Sequence, residues 1–259
     1  MISALLTAVI PALVLPWVLL SLRWPPLFAL LPMLPLAWVY ARAIREERAS
    51  DAAFLAIVWA GALTVSTVAA AARAPQAALQ TIWHASDFRN EMVAWIATGR
   101  GAEGNIALFL PRVLVEYALV WILSAATLGA AALLLGSLLL GYMNGYVGWV
   151  VANADPAASP IGTALVAWPP WSVARVLSFI LAGTAGALWG WRRFYARRWG
   201  VAGAVARVPE GGAVARLALF SLFLLLLDIG LKWWLAPIWR EWLHALLGAS
   251  AGLEAGGQV

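Results

Sequence analysis

The chain has 259 residues, of which 64% are apolar and only 11% are charged. A soluble domain carries about 45–50% apolar and about 25% charged residues, so this composition excludes an ordinary soluble protein. The sequence contains no cysteine, which excludes disulfides, thiolate catalysis and cysteine-ligated metal centres. The composition therefore predicts a polytopic membrane protein whose surface lies mostly in lipid.

Seven segments of the chain are apolar over a length that suits a membrane-spanning helix. A hydrocarbon core about 30 Å thick needs about 20 apolar residues per helix. Backbone groups cannot remain unpaired in lipid, and these segments are too long for barrel strands, so we expect an all-α helical bundle. The prediction is a single integral membrane domain over residues 1–259, with about seven spans (six to eight) at approximately 2–22, 27–41, 52–72, 106–123, 128–151, 171–191 and 217–239.

The boundary between the fourth and fifth spans follows from helix length. No charged residue occurs in the 38 residues from Tyr117 to Ala154. A straight helix of that length would reach about 57 Å at 1.5 Å per residue, about twice the hydrocarbon thickness. The segment must therefore turn back on itself, and Ser124–Gly129 is the predicted turn.

Arginines outside the spans predict the orientation of the bundle. Those that follow the second and sixth spans share one side: Arg42, Arg45, Arg48, Arg192, Arg193, Arg197, Arg198, Arg207 and Arg216. The positive-inside rule then makes the amino terminus cytoplasmic, and we expect the inner (plasma) membrane of a bacterium. Attraction to anionic lipid explains the net charge of +5, so membrane lipids are expected partners and nucleic acid is not.

The longest segment between spans, residues 73–105, is predicted to lie on the outer side and partly along the membrane surface, because its apolar residues recur at helical spacing. His84, Asp87 and Glu91 follow at i, i+3 and i+7 and would share one helical face. A histidine and two carboxylates can bind a divalent metal or transfer a proton. On the wet face of such a helix the expected state is solvation, and no metal site is predicted.

Five charged residues fall inside predicted spans, where each costs ~3 kcal/mol on insertion scales, and four of them form two pairs at helical spacing. Asp228 and Lys232 lie one turn apart near mid-membrane, in the order that favours a helical ion pair. Arg112 and Glu116 have the same spacing in the fourth span. These four residues are the candidates for an ion or proton relay. The favoured interpretation is structural: Lys232 extends to the outer tryptophan belt, and Asp228 bonds to a neighbouring helix. Arg175, in the sixth span, is a possible partner for either Asp228 or Glu116.

The fifth span carries a signal for close helix packing. Gly141 and Gly145 form a small-xxx-small pair, which allows helices to approach closely within a chain or between chains. Asn144 lies in the same run and can hydrogen-bond across that contact. We expect these three residues to line a helix–helix interface.

The hexapeptide Leu227–Lys232 resembles the last helix of microbial rhodopsins, in which an aspartate precedes the retinal-binding lysine by four positions. The resemblance implies seven helices and a chromophore on Lys232. The chain departs from that family elsewhere, because the third span lacks the arginine and carboxylate of the counter-ion helix. The predicted amino terminus also lies on the opposite side of the membrane. A chromophore-binding protein is therefore a distant alternative.

No motif in the sequence identifies an enzyme, a catalytic residue or a cofactor. The H-E-x-x-H pair, the G-x-S-x-G elbow, the Walker loop and the dinucleotide-binding glycine turn are all absent. The sequence favours a non-catalytic integral subunit or assembly factor of a larger membrane complex, with other membrane protein chains as partners. The alternative is a small proton- or ion-coupled permease that uses the four paired intramembrane charges. A lipid-processing enzyme that uses the His84 cluster is more distant.

Overall fold

A computed structural model of the chain describes residues 1–196 and 212–247. Seven helices in this part of the chain are long and apolar enough to cross a membrane, which confirms an all-α, multi-pass bundle. The spans are Ile2–Leu22, Pro25–Arg45, Ala49–Arg73, Ile106–Thr127, Ala130–Asn153, Pro170–Tyr195 and Gly212–Leu247.

The described residues form eleven α-helices and a 3₁₀ turn at Ala102–Gly104. A π-helical turn at Trp191–Tyr195 continues the sixth span. In chain order the helices are α1 (Ile2–Leu22), α2 (Pro25–Leu30), α3 (Leu34–Arg45), α4 (Ala49–Arg73), α5 (Pro75–Thr81), α6 (Ala85–Thr98), α7 (Ile106–Thr127), α8 (Ala130–Asn153), α9 (Pro160–Ala167), α10 (Pro170–Gly190) and α11 (Gly212–Leu247).

The second span is broken into α2 and α3, because proline lacks the amide hydrogen that a continuous helix requires. Pro32 lies in the break. Its carbonyl accepts a hydrogen bond of 2.9 Å from Nε1 of Trp59, which is buried on α4. A backbone group exposed by the break is thus satisfied inside the bundle, as a low-dielectric environment requires.

The turn between α7 and α8 consists of Leu128 and Gly129, both in the left-handed region, with φ of 52° and 91°. It lies at the end of the stretch Ser124–Gly129 in which the sequence predicts a turn. A Cβ atom at Gly129 would lie 2.4 Å from the ring of Tyr40. Glycine is therefore needed here both for its backbone conformation and for its lack of a side chain.

Helix α10 lies at the centre of the bundle and packs most extensively against α11 and α7. Two glycines allow α7 to approach closely: a Cβ atom at Gly186 would lie 2.5 Å from the Trp121 carbonyl oxygen, and one at Gly190 would lie 2.1 Å from that of Ala125. The backbones of α10 and α7 are therefore in direct contact at these two positions.

Two segments predicted to be aqueous contain helices. Helix α9 lies between the fifth and sixth predicted spans, and α11 continues to Leu247, beyond the predicted end of the last span at residue 239. The extension of α11 is stabilised by contacts with α6, because Leu243 and Leu247 are buried in the same cluster as Ile96. The guanidinium of Arg240 also donates hydrogen bonds to carbonyls in the last turn of α6.

An ion pair at one end of the bundle joins the segment after the second span to the end of the sixth. Nη2 of Arg192 lies 2.8 Å from Oε2 of Glu47. Arg48 lies next to Glu47 in sequence, so these arginines share one end of the molecule, which we call the arginine-rich end. The opposite end contains the turn Ala102–Gly104. Arg197, Arg198 and Arg207 lie outside the described residues.

Candidate functional site

The centre of the site is an ion pair between α10 and α11. Arg175 donates hydrogen bonds from Nε and Nη2 to the two carboxylate oxygens of Asp228, at 2.9 and 3.1 Å. The Asp228 side chain is fully buried, and the Arg175 side chain is 18% exposed. Bidentate pairing of this kind fixes both distance and orientation. Asp228 thus bonds to a neighbouring helix and pairs with Arg175.

A second ion pair lies one turn further along α11. Nζ of Lys232 is 2.9 Å from Oε1 of Glu103, which belongs to the 3₁₀ turn before α7. The same ammonium lies 4.2 Å from the ring centroid of Phe109, a favourable cation–π position. Lys232 is only 1% exposed, so it does not extend to an outer tryptophan belt. Asp228 and Lys232 share a face of α11, but each pairs with a residue from another element.

Glu103 is held by several donors. Besides Lys232, Nε1 of Trp171 donates to its carboxylate at 3.3 Å. Burial raises the pKa of Glu103, but the positive charges of Lys232 and Arg175, together with these hydrogen bonds, lower it by more. The net pKa of Glu103 lies below that of an ordinary glutamate, so the carboxylate is ionised at neutral pH.

Two cavities meet at Glu103. One, of about 30 Å³, is lined by Glu103, Arg175 and Tyr142 among others. The other, of about 150 Å³, is lined by Glu103, Lys232 and several aromatic side chains. The Glu103 carboxylate therefore separates a cavity that contains the Arg175 guanidinium from one that contains the Lys232 ammonium.

Buried hydroxyl groups continue from the ion pairs toward the arginine-rich end. Ser178 on α10 and Ser221 on α11 donate to each other's carbonyl oxygens, at 2.8 and 3.0 Å. The Tyr117 hydroxyl on α7 lies 2.9 Å from the Ser221 hydroxyl. Ser221 is seven residues, two helical turns, before Asp228 and so faces the same side of α11. These three residues form a polar layer below the ion pair.

A second polar layer lies closer to the arginine-rich end. The Tyr40 hydroxyl on α3 donates to Thr184 Oγ1 on α10 at 3.0 Å, and both side chains are buried. Between the two layers is a mainly apolar cavity of about 50 Å³, lined by Tyr40, Phe179 and Gly183 among others. Polar groups and this cavity thus follow α10 from Trp171 to Arg192, about 32 Å at 1.5 Å per residue.

The second pair of predicted relay residues bonds within α7 and not to the ion pairs of this site. Nε of Arg112 is 3.0 Å from Oε1 of Glu116, and the two side chains are 50% and 18% exposed. Glu116 therefore pairs with an arginine on its own helix. Since Asp228 pairs with Arg175, the two carboxylates are not brought together to share a proton.

Of the three residues predicted to share a helical face in the outer segment, His84, Asp87 and Glu91, only the first two are in contact. Nδ1 of His84 is 3.1 Å from Oδ2 of Asp87, and the His84 ring packs edge-on against Tyr142. Within residues 1–196 and 212–247, no three histidine or carboxylate side chains come together in a way that suits a metal ion. Glu91 is thus not part of a metal-binding group with the other two.

The predicted packing residues of α8 contact other parts of the same chain. A Cβ atom at Gly145 would lie 3.2 Å from Ile82, which follows α5, and 3.3 Å from Ala85, the first residue of α6. Gly141 also faces Ile82, at 3.4 Å. Asn144 donates to Thr64 Oγ1 at 3.2 Å and accepts from Trp168 Nε1 at 2.9 Å. This interface therefore holds the chain's own connecting segment against α8.

Sequence reasoning did not single out Glu103 or Trp171. Glu103 falls in the segment predicted to be aqueous, so nothing in its local pattern marks it as buried. The available signal was indirect: the only lysine in the chain, Lys232, lies inside a span and requires a carboxylate partner.

Comparison with known proteins returned no relative. No family model matches the chain, and no curated protein or solved structure matches it significantly.

Proposed function

We propose that the chain is a small proton-coupled permease in which Asp228 carries the proton. The observation that carries this proposal is the series of buried polar groups along α10, which begins at the two ion pairs and continues through two hydroxyl layers. Side chains of this kind inside a membrane mark proton or ion pathways.

The energetic cost of the cluster supports a functional role. Replacing a buried ion pair by apolar side chains of similar volume is often neutral or stabilising. Two adjacent pairs, Arg175–Asp228 and Lys232–Glu103, are thus poor devices for stability alone. Their carboxylates can take up and release protons, whereas the arginine stays charged.

We place the proton route along α10, from Asp228 toward the hydroxyls of Ser221 and Tyr117 and then past the apolar cavity to Tyr40 and Thr184. A hydroxyl both donates and accepts a hydrogen bond, so each polar layer can relay a proton. The cavity between the layers, of about 50 Å³, exceeds the roughly 10–15 Å³ that one water molecule needs. Because its lining is mainly apolar, it serves as a gate that conducts only when wetted.

Proton flux into proteoliposomes tests this proposal. A dye trapped inside reports the internal pH after the outside is acidified in the presence of a mixture of small organic solutes, with the membrane potential clamped at zero. The wild-type protein should acidify the lumen faster than protein-free liposomes, and Asp228→Asn should fall to the protein-free rate. Tyr117→Phe, which removes one hydroxyl, should slow the flux. Asp51→Asn, at an ion pair of the arginine-rich end, is the matched control and should retain the wild-type rate.

Two results would overturn the permease proposal. One is a wild-type rate no higher than that of protein-free liposomes. The other is an unchanged rate in Asp228→Asn. Before its flux is compared, each variant must elute as a single species in detergent and must unfold at a temperature near that of Asp51→Asn.

A second candidate function is that of an integral subunit of a larger membrane complex. The supporting observation is the pair Arg112–Glu116 on α7, the least buried of the seven spans. A half-exposed arginine within a span is stabilised when a helix of another chain covers it. Native mass spectrometry in mild detergent tests this role. The double variant Arg112→Leu/Glu116→Leu should lose chains that accompany the wild type, and equal co-purification would argue against it.

We also propose that the protein lies in a bacterial inner (plasma) membrane with the arginine-rich end in the cytoplasm. The clustering of Arg42, Arg48 and Arg192 at one end supports this orientation. Because the chain has no cysteine, single cysteines report topology without background. A membrane-impermeant thiol reagent applied to intact cells should label Ser159→Cys and not Ser50→Cys, both exposed positions, and the reverse pattern would invert the orientation.

A further inference from the structure

The larger of the two cavities beside Glu103 combines a buried cation with an aromatic wall. Its volume is about 150 Å³, and its lining includes Lys232, Phe109, Trp95 and Trp233. Drug-sized ligands occupy pockets of roughly 300–1,000 Å³, so this cavity suits a smaller molecule. Trp233 is 73% exposed and lies at the rim, which leaves the cavity reachable from the membrane side.

The Lys232 ammonium in this cavity is already paired with a carboxylate of the chain itself. Glu103 lies in the glycine-rich segment Gly99–Gly104, in which Gly99 and Gly101 have φ of 71° and 140°. Glycine adopts a wider range of backbone angles than any other residue, so this segment can change its backbone conformation without clashes of its own side chains. Glu103 also lines the smaller cavity, which contains Arg175. A second cation is thus available to Glu103 on its other side.

We infer that the 150 Å³ cavity is the solute site of the proposed permease. Its solute is a small organic monocarboxylate whose carboxylate replaces Glu103 on Lys232. This inference rests on the proposed function. The aromatic wall of Phe109 and Trp95 receives the apolar body of the solute, and Lys232 binds its charge.

Charge balance decides between classes of solute. The cluster contains two cations and two carboxylates and is neutral when all are ionised. One added carboxylate together with one proton on Asp228 keeps it neutral, whereas a dianion or a cation leaves uncompensated charge in a low-dielectric site. A monocarboxylate that enters with one proton is the solute that fits.

The same exchange couples the solute to the proton. Once displaced from Lys232, Glu103 turns toward Arg175 and competes with Asp228 for its guanidinium. Asp228 then loses part of its ion pair and accepts a proton, since a carboxylate without its cation holds a proton more firmly. Solute binding on the Lys232 side thereby drives proton uptake by Asp228, and Asp228 releases that proton when the solute leaves and Glu103 returns to Lys232.

Equilibrium binding of benzoate to the full chain in detergent tests the inference without any gradient. Benzoate should bind the wild type, while benzamide, which is neutral, and benzylamine, which is cationic, should not. Glu103→Gln removes the internal competitor and should bind benzoate at least about tenfold more tightly, a difference of about 1.4 kcal/mol. A variant that fails to fold cannot show such a gain. Glu46→Gln, at an ion pair of the arginine-rich end, is the matched control and should bind like the wild type.

The double variant Glu103→Gln/Lys232→Met keeps the cluster free of an unpaired charge and should lose benzoate binding. The inference is overturned if benzoate, butyrate and acetate all fail to bind Glu103→Gln. It is also overturned if benzamide binds as well as benzoate, or if the double variant binds like Glu103→Gln. Binding without proton flux in the liposome assay would instead overturn the permease proposal, so the two failures are distinguishable.

Discussion

Arg175 and Asp228 are 53 residues apart in sequence and form a bidentate ion pair between α10 and α11, with both carboxylate oxygens engaged. The Asp228 carboxylate is fully buried. Burial of this charge is tolerable only because the guanidinium neutralises it and satisfies both oxygens. We therefore expect the loss of folding stability to be much larger when one partner is removed alone than when both are removed together.

We expect Arg175→Leu to lower the free energy of unfolding by about 3–5 kcal/mol, because it leaves an uncompensated charge in the bundle. The double variant Arg175→Leu/Asp228→Leu should recover most of that loss. Thermal unfolding in detergent measures both effects. Arg42→Leu, which removes a largely exposed arginine, is the control and should unfold like the wild type. Equal losses in the single and double variants would contradict the role assigned to the pair.

The lowered pKa of Glu103 predicts a dependence of stability on pH. Because the folded-state pKa lies below the unfolded one, the stabilisation is complete above the ordinary glutamate pKa and is lost as the pH falls through the folded-state value. Unfolding temperatures of the wild type and Glu103→Gln should therefore differ most at neutral pH and converge toward acid pH.

Glu46 provides the control for this titration. Hydrogen bonds from Arg42 and Arg48 lower its pKa as well, but the side chain is 41% exposed. Exposed ion pairs contribute little to stability because water and salt screen them. Glu46→Gln should follow the wild-type pH curve, and a constant difference between Glu103→Gln and wild type across pH would contradict the prediction.

Substitution by alanine should change folding stability in opposite directions at two glycines of the bundle. At Gly190 the new Cβ atom would meet the Ala125 backbone at 2.1 Å, so Gly190→Ala should separate α10 from α7 and cost about 1–3 kcal/mol. At Gly136 nothing lies within 4 Å of the new atom, so Gly136→Ala should be neutral or stabilising by up to about 1 kcal/mol through helix propensity. Thermal unfolding of the two variants under one condition measures which of them is the more stable and so checks this prediction.

Asn144 links three elements, since it bonds to Thr64 on α4 and to Trp168 between α9 and α10. We expect Asn144→Leu to cost about 1–2 kcal/mol, because it removes two hydrogen bonds inside the bundle. Thr64→Val removes only one of them and should cost less. Unfolding in graded detergent mixtures measures the difference, and an equal loss in both variants would show that the Trp168 bond contributes nothing.

The sequence by itself determined the fold class, the number and order of spans and the clustering of arginines at one end. These are properties of local composition, because each span must bury about 20 apolar residues in the hydrocarbon core whatever its neighbours are. The spacing of Asp228 and Lys232 likewise predicted that both lie on one face of a helix, since helical periodicity is local.

The partners of those residues were decided only by the tertiary structure. Arg175 was one possible partner among several, and Glu103 could not be found, because it lies 129 residues from Lys232 and in a stretch that appears aqueous. The rotation of α10 against α11, and the return of the segment 73–105 onto α8, determine which charges meet. Both depend on side-chain packing between helices that no single segment encodes.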